Sequence, residues 1–296
     1  MNEQKFGTIL KFFRKQRGYT QARLGELAGV GQVAIANYER GERFPGETQL
    51  RNLSEALNVS MDLLLSINLN QNSENPDDPF TVIELFKQIQ KDMKTVLIKI
   101  YQWKIRFDYN LLDIYEKIII PLLEMTGKEW SAGNLSVAQE HLISGRIREL
   151  IILMAADLPY ETDISKKNTW IGLCAPGEEH EFGLLMNSFI LREQGWQVIN
   201  LGTQVPMSDL LTMIQELKPS ILCYSITMEK HRNALKVNLE ILDQLQKLDF
   251  NIIISGAAAD LDLCNEFEKV RAVSISLDDA VRQANTISGH SISSPF

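Results

Sequence analysis

Ile171-Gly172-Leu173-Cys174-Ala175-Pro176-Gly177-Glu178-Glu179-His180-Glu181-Phe182-Gly183 decides how the second half of this chain is read. A short apolar run meets a glycine-bounded loop, and a leucine-rich helical pattern follows at once. That is a strand, a loop and a helix start. Within the loop, Glu178, His180 and Gly183 stand as E-x-H-x-x-G. A neutral imidazole is a good transition-metal ligand, and a nearby carboxylate fixes its tautomer and raises its basicity. The alternative for His180 taken alone is a helix-capping or surface histidine.

Outward from this loop the rhythm is strand and helix in turn. Short β-rich runs at 169–174, 197–201, 220–225, 251–255 and 270–275 are separated by amphipathic helical stretches. This alternation predicts a parallel, doubly wound sheet of Rossmann-like or flavodoxin-like type. Ligands of such sheets sit at the carboxyl ends of the strands. The E-x-H-x-x-G loop, Ser225 and Gly256 fall at the ends of the first, third and fourth strands. No G-x-G-x-x-G follows the first strand and no P-loop occurs, which argues against a nucleotide fold.

Upstream, 80–156 is helical in pattern, with helices expected at 80–97, 99–107, 109–125 and 136–156. Ser136-Val137-Ala138-Gln139 reads as a capping box opening the last of them. Residues 1–66 read as short helices broken at Gly18, Gly29, Gly41 and Pro45. Polar residues with Pro76 and Pro79 mark a linker. The expected organisation is an all-α helix-turn-helix domain at 1–67, a linker at 68–79, a helical bundle at 80–160 and an α/β domain at 167–290.

Charge follows this division. Residues 1–60 carry nine Lys/Arg against six Asp/Glu, and the remainder 21 against 32, so a net −8 hides a basic head on an acidic body. The head suits a polyanion. Hydrophobic residues make up 45% and charged residues 23%, ordinary for a soluble globular protein. There is neither an apolar run of membrane-spanning length nor a signal peptide, so a cytoplasmic protein with no membrane partner is expected. Cys174, Cys223 and Cys264 form no CxxC pair and read as buried thiols.

In the head, Gln21–Ala28 and Gln32–Tyr38 flank the turn Gly29-Val30-Gly31. Two short helices on a glycine turn make a helix-turn-helix. The stretch R-K-x-x-G-x-T-Q, A-G-V, I-x-x-Y-E-R-G-x-R-x-P and L-x-x-L-x-x-A-L-x-V-S resembles the Cro/repressor-type family. The resemblance implies a second helix in the major groove of a double-stranded DNA operator. It places Gln32, Val33 and Asn37 at base edges and Gln21, Arg43 and Arg17 at phosphates. Gly31 stands where a Ser or Thr cap is common. So small a reading head implies a homodimer or higher homo-oligomer on a two-fold site. A helical protein-interaction domain is the alternative.

In the α/β part, 41 residues separate Gly183 from Ser225, and 28 separate Thr227 from Gly256-Ala257. With E-x-H-x-x-G, these spacings resemble the cobalamin-binding domains of corrinoid enzymes and regulators. The resemblance implies that His180 becomes the lower cobalt ligand and displaces the cofactor's own base. It makes Glu178 the orienting acid and lets Gly183 permit close helix approach. Ser225 and Thr227 would meet the displaced tail, with Gly256 leaving it room. Glu178 replaces the usual Asp, and Ala257 replaces a second Gly.

In the bundle, Trp130 precedes Glu140-His141 as W-x9-E-H. With Pro121 and the Ser136–Gln139 helix start, this resembles the four-helix-bundle cap of light-sensing, adenosylcobalamin-dependent regulators of the CarH/LitR type. The resemblance implies that Trp130 packs on the adenosyl group and that Glu140 and His141 contact it. A bundle-core Trp and an exposed acidic helix start are the alternatives. Ser131 stands where some members carry a histidine, and a Cro-type head replaces their usual MerR-type one. His231 and His290 have no motif around them and read as surface residues. The chain is thus expected to be a regulator, a repressor rather than an enzyme, that senses light through cobalt–carbon bond photolysis. The alternatives are a corrinoid methyl carrier, a sensor of cobalamin supply or redox state, and a constitutive DNA binder with an empty sensor.

Overall fold

The computed structural model describes residues 3–65, 79–156, 158 and 168–289. Of the linker expected at 68–79, residues 68–78 lie outside them, as does His290, while Pro79 begins a helix. The chain divides into two compact units, Met1–Leu150 and Ile151–Phe296.

The first unit is helical. Helix α1 (Glu3–Gln16) packs with α2 (Gln21–Ala28), α3 (Gln32–Arg40), α4 (Glu47–Leu57) and α5 (Met61–Leu65) around Phe6, Leu10, Phe13, Leu24, Ile35, Leu53 and Leu57. The Thr20 hydroxyl accepts from Arg23 N at 3.1 Å and starts α2. Gly29 and Gly41, both at φ +69°, close α2 and α3 in the left-handed region that favours glycine. Gly31 starts α3 with no side-chain cap, as the sequence predicts.

Helices α6 (Pro79–Ile89), α7 (Met93–Phe107), α8 (Leu111–Ile114), α9 (Ile120–Ser131) and α10 (Val137–Met154) follow. The break expected near residue 98 falls instead at 90–92. Asp92 accepts from Lys94 N and Thr95 N at 3.0 and 3.3 Å and caps α7, which then runs unbroken. The helix expected at 109–125 extends to Ser131 through a π-turn at Tyr115–Ile119. Pro121 lacks the N–H that the preceding turn would use, and the widened turn absorbs the defect. Ser136 and Gln139 form both halves of the expected capping box, at 2.9 and 3.3 Å. The reading head and α7 share apolar surface: the Phe13 and Tyr101 rings lie 5.7 Å apart, and Ile98 and Tyr101 pack on the head's core.

The second unit holds a five-stranded parallel sheet of order β2-β1-β3-β4-β5. Its strands are β1 (Thr169–Cys174), β2 (Gln197–Gly202), β3 (Ile221–Ser225), β4 (Asn251–Ser255) and β5 (Val270–Ser274). Each begins within one residue of its expected start. Helices α12 (Met207–Leu217), α13 (Arg232–Asp243) and α14 (Leu263–Glu266) cover one face, where Ile171, Leu173, Leu222, Tyr224, Ile252 and Ile254 build the large apolar core. Helices α11 (Phe182–Glu193) and α15 (Leu277–Ser288) pack on each other and on the sheet, α11 against β1 and β2 and α15 against β4 and β5. Sheets of this order bind ligands at the β1/β3 switch point.

Candidate functional site

Side chains alternate across a strand, so the sheet's second face carries Trp170, Gly172, Cys174, Ile221, Cys223, Ser225, Ile253, Ser255 and Ser274. The register makes a row of four of them: Cys174 is paired with Ser225, Ser225 with Ser255, and Ser255 with Ser274. This row of small side chains is the last before the carboxyl edge, and Leu184 of α11 lies over Gly172 on the same face. Among the described residues, the hydroxyls of Ser225, Thr227 and Ser255 make no hydrogen bond, although Ser225 and Ser255 are buried. One turn beyond Leu184, the Asn187 side chain is buried and its Oδ1 has no partner. An orphaned buried polar group costs about 1–3 kcal/mol. One face of the sheet is packed with bulky apolar groups; the other carries Trp170, Ile221 and Ile253 further in and a small, polar lane along its carboxyl edge.

At the mouth of that lane stands His180, on the loop after β1. Glu178 is 0% exposed, yet it accepts five hydrogen bonds. Its Oε1 takes Glu179 N, His180 N and His180 Nδ1, the last at 2.5 Å. Its Oε2 takes Thr227 N and Met228 N, both at 2.8 Å, from the loop after β3. Burial would raise the Glu178 carboxyl, but the bonds from His180, Met228 and Thr227 outweigh it and hold it down at about 2. It is therefore ionised at neutral pH and can only accept. The Nδ1 of His180 then carries a proton, and in the neutral ring it is Nε2 that presents a lone pair. The imidazole itself is exposed.

The rim of this edge is apolar. Met228 after β3, Leu261 after β4 and Ile275 after β5 are all exposed. Among the described residues no group of three or more His, Cys, Asp or Glu converges as a metal cage. A single fixed imidazole, an apolar rim and a buried polar lane fit a metal already held in a large flat macrocycle with a polar tail. Cys174 and Cys223 are pushed up to about 12, chiefly by burial, and stay protonated thiols. Cys264 is only partly buried.

Three expectations are corrected in detail. The space that Gly256 leaves is taken by the chain itself: at φ +118°, a Cβ there would meet the Ile226 carbonyl oxygen at 2.3 Å. Ala257 beside it is exposed. Gly183 admits no close helix, since nothing lies within 4 Å of where its Cβ would stand. His231 is not a plain surface residue: its Nδ1 lies 2.9 Å from where a Cβ on Gly177 (φ +82°) would be, against the His180 loop. The sequence carries no motif for that pair, because it joins the loops of two strands.

In the first unit, Trp130 is 52% exposed, whereas Trp103 fills the bundle core. Glu140 accepts from His141 Nδ1 and from the Ser144 hydroxyl, each at 2.5 Å, leaving His141 Nε2 outward. Ser131 is exposed and donates only to Lys128 O. On α3, Gln32 is exposed and Val33 is 71% exposed. The Asn37 Oδ1 accepts from Arg40, which also pairs with Glu42, a tie the sequence did not suggest. Gln21 donates to Glu39 at 2.8 Å beside the Arg14–Glu39 ion pair. Arg17 donates to Leu57 O at 2.9 Å and so braces α4, while Arg43 is exposed.

Three family models match the chain: a helix-turn-helix at residues 10–64, a B12 binding domain at 169–281 and a second B12 binding domain model at 86–153. The HTH-type transcriptional repressor CarH of Myxococcus xanthus is 31% identical over 148 residues, half of this chain and 48% of that protein. A methanol–corrinoid protein of Methanosarcina barkeri is 30% identical over 102 residues, covering 34% of this chain and 39% of that one. The chain thus spans less than half the length of either relative. The monomethylamine corrinoid protein of Methanosarcina barkeri superposes with a TM-score of 0.57 at 17% identity, over 69% of this chain and 96% of that one, a likeness of fold. Among the described residues no helix is long and apolar enough to cross a membrane.

Proposed function

We propose that this chain, which matches a helix-turn-helix model and two B12 binding domain models, is a transcriptional repressor of CarH type whose hold on DNA is set by bound adenosylcobalamin and by light. The observation that carries the reading is the exposed His180 imidazole, held at Nδ1 by buried Glu178 with Nε2 open to cobalt. In this reading the cofactor's own base is displaced, and its tail meets Ser225 and Thr227. The bound cofactor supplies a light-labile cobalt–carbon bond. Trp130 offers an exposed flat ring to the adenosyl group, with Glu140 and His141 as polar contacts. The output is a homodimer or higher homo-oligomer on a two-fold operator. There Gln32, Val33 and Asn37 meet bases, and Gln21, Arg43 and Arg17 stand on the phosphate side. Ligand and DNA couple only if the bound and photolysed forms make different contacts.

A methyl-carrier role is the second reading, favoured by the match to the methanol–corrinoid protein. The helix-turn-helix stands against it, because operator contacts add nothing to methyl transfer. Responses to cobalamin supply or redox state use the same site without the light step.

The deciding experiment loads the full chain with adenosylcobalamin in the dark and follows its spectrum and operator affinity before and after green light. Both are expected to change together. A spectral change with level DNA binding removes light as the signal, and an imidazole-bound spectrum that survives His180→Ala removes the ligand assignment. In the reading head, Gln32→Ala or Asn37→Ala is expected to cost about 1–3 kcal/mol of discrimination, while Arg43→Ala weakens all DNA alike. Equal loss of discrimination in all three variants overturns that division.

A further inference from the structure

Asn187 lies on α11 in the i, i+3, i+4 set Leu184, Asn187, Ser188, the face turned to the sheet and α15. It is 2% exposed, and its Oδ1 is the one side-chain N or O atom among the described residues that is itself fully closed off from solvent and has no partner. Its polar neighbours are already served. Ser188 donates to Leu185 O and accepts from Asn200. Asn285 of α15 accepts from Trp196 and donates to Gln194. The carboxamide is thus enclosed between α11, the sheet and α15, one turn past Leu184, which lies over Gly172.

We propose that Asn187 reads the base at the end of the displaced tail and selects a purine-based cobamide over a dimethylbenzimidazole-based one. This rests on the cobalamin reading of His180. A carboxamide presents an acceptor and an N–H donor side by side. Dimethylbenzimidazole, once released from cobalt, offers one ring nitrogen that only accepts. It can serve Nδ2 but leaves Oδ1 orphaned in a buried place. Adenine carries an amino group beside a ring nitrogen, so it satisfies both atoms at once, as Asn does with adenine in other settings. A buried site that hydrogen-bonds a ligand group discriminates strongly against the analogue that lacks it.

The test is competitive binding to the full chain of the adenine cobamide, the dimethylbenzimidazole cobamide and cobinamide, which has no base. The imidazole-bound spectrum is recorded with each, for the wild type, Asn187→Leu and Asn187→Ser. The wild type is expected to prefer the adenine cobamide by about tenfold. In both variants the preference falls to near unity while the imidazole-bound spectrum persists. Equal wild-type affinities, an unchanged preference in the variants, or cobinamide binding as tightly as either cobamide each overturn the selection by Asn187. If no corrinoid gives an imidazole-bound spectrum, the reading of His180 itself has failed.

Discussion

Two histidines in this chain are held at Nδ1 by a glutamate, and the two carboxylates differ in nearly everything else. Glu178 is fully buried and takes five donors from the loops of two strands. Glu140 is partly exposed and takes two donors, His141 and Ser144, both from its own helix. In the first case the imidazole is the visible end of a frame that the fold cannot relax without breaking main-chain hydrogen bonds. In the second, the pair is a surface arrangement that a single rotamer change dissolves. A lower metal ligand gains from being fixed beforehand, since nothing has to be ordered on binding. A group that must contact one ligand state and release another gains from being easy to move.

The comparison breaks most readily at Glu178. Removing a buried acceptor that serves five partly buried hydrogen bonds, as in Glu178→Ala, is expected to destabilise the second unit by about 1–3 kcal/mol. Urea unfolding followed by the fluorescence of buried Trp170 and Trp196 measures this. Cobalamin affinity is expected to fall about 10–100-fold as well, as for other partners of metal-bound histidines. A loss below about 1 kcal/mol would show that the frame is decorative. A smaller effect follows from pH. The carboxyl is held at about 2 against a reference of 4.5, so its folded value is depressed. Its contribution to stability is complete above about 4.5 and is lost as pH falls toward about 2. The gap between wild type and Glu178→Gln in urea midpoint should therefore stay constant down to that upper value and close below it. A gap that narrows already near neutrality would mean that another group governs the loop.

Much of this frame was legible in the sequence, and the missing parts share a cause. The strands came out within a residue because their β-rich runs are bounded by turns. His180 and Glu178 came out because two residues apart on one loop is a local relation. That Glu178 also binds Thr227 and Met228 was not legible, because those donors arrive from another strand and use main-chain atoms that no residue type announces. His231 against Gly177 and the orphaned Asn187 were missed for the same reason. The end of α6 was missed because apolar periodicity runs straight across Asp92, and only the capping bonds decide which way the chain turns. Gly256 was recognised as necessary but for the wrong neighbour: its missing Cβ makes way for the Ile226 carbonyl, a contact between adjacent strand ends.

The smallest expected effect lies at the other glutamate and sharpens the comparison from its opposite end. Glu140→Ala removes two side-chain bonds, both made within α10 and partly open to water, so stability should change by no more than about 0.5 kcal/mol. A small part of that is the loss of an acid in the first turn of α10. Trp130→Ala should be comparably silent, because a ring 52% exposed supports little of the core. If these residues act on the adenosyl group, both variants should nonetheless narrow the difference in affinity between adenosylcobalamin and hydroxocobalamin, while the imidazole-bound spectrum from His180 is untouched. A variant that left that difference whole would reduce Trp130 and Glu140 to surface residues. A variant that unfolded the bundle would show that the Glu140–His141 pair is as structural as Glu178–His180, and the contrast between a fixed and a movable imidazole would fall.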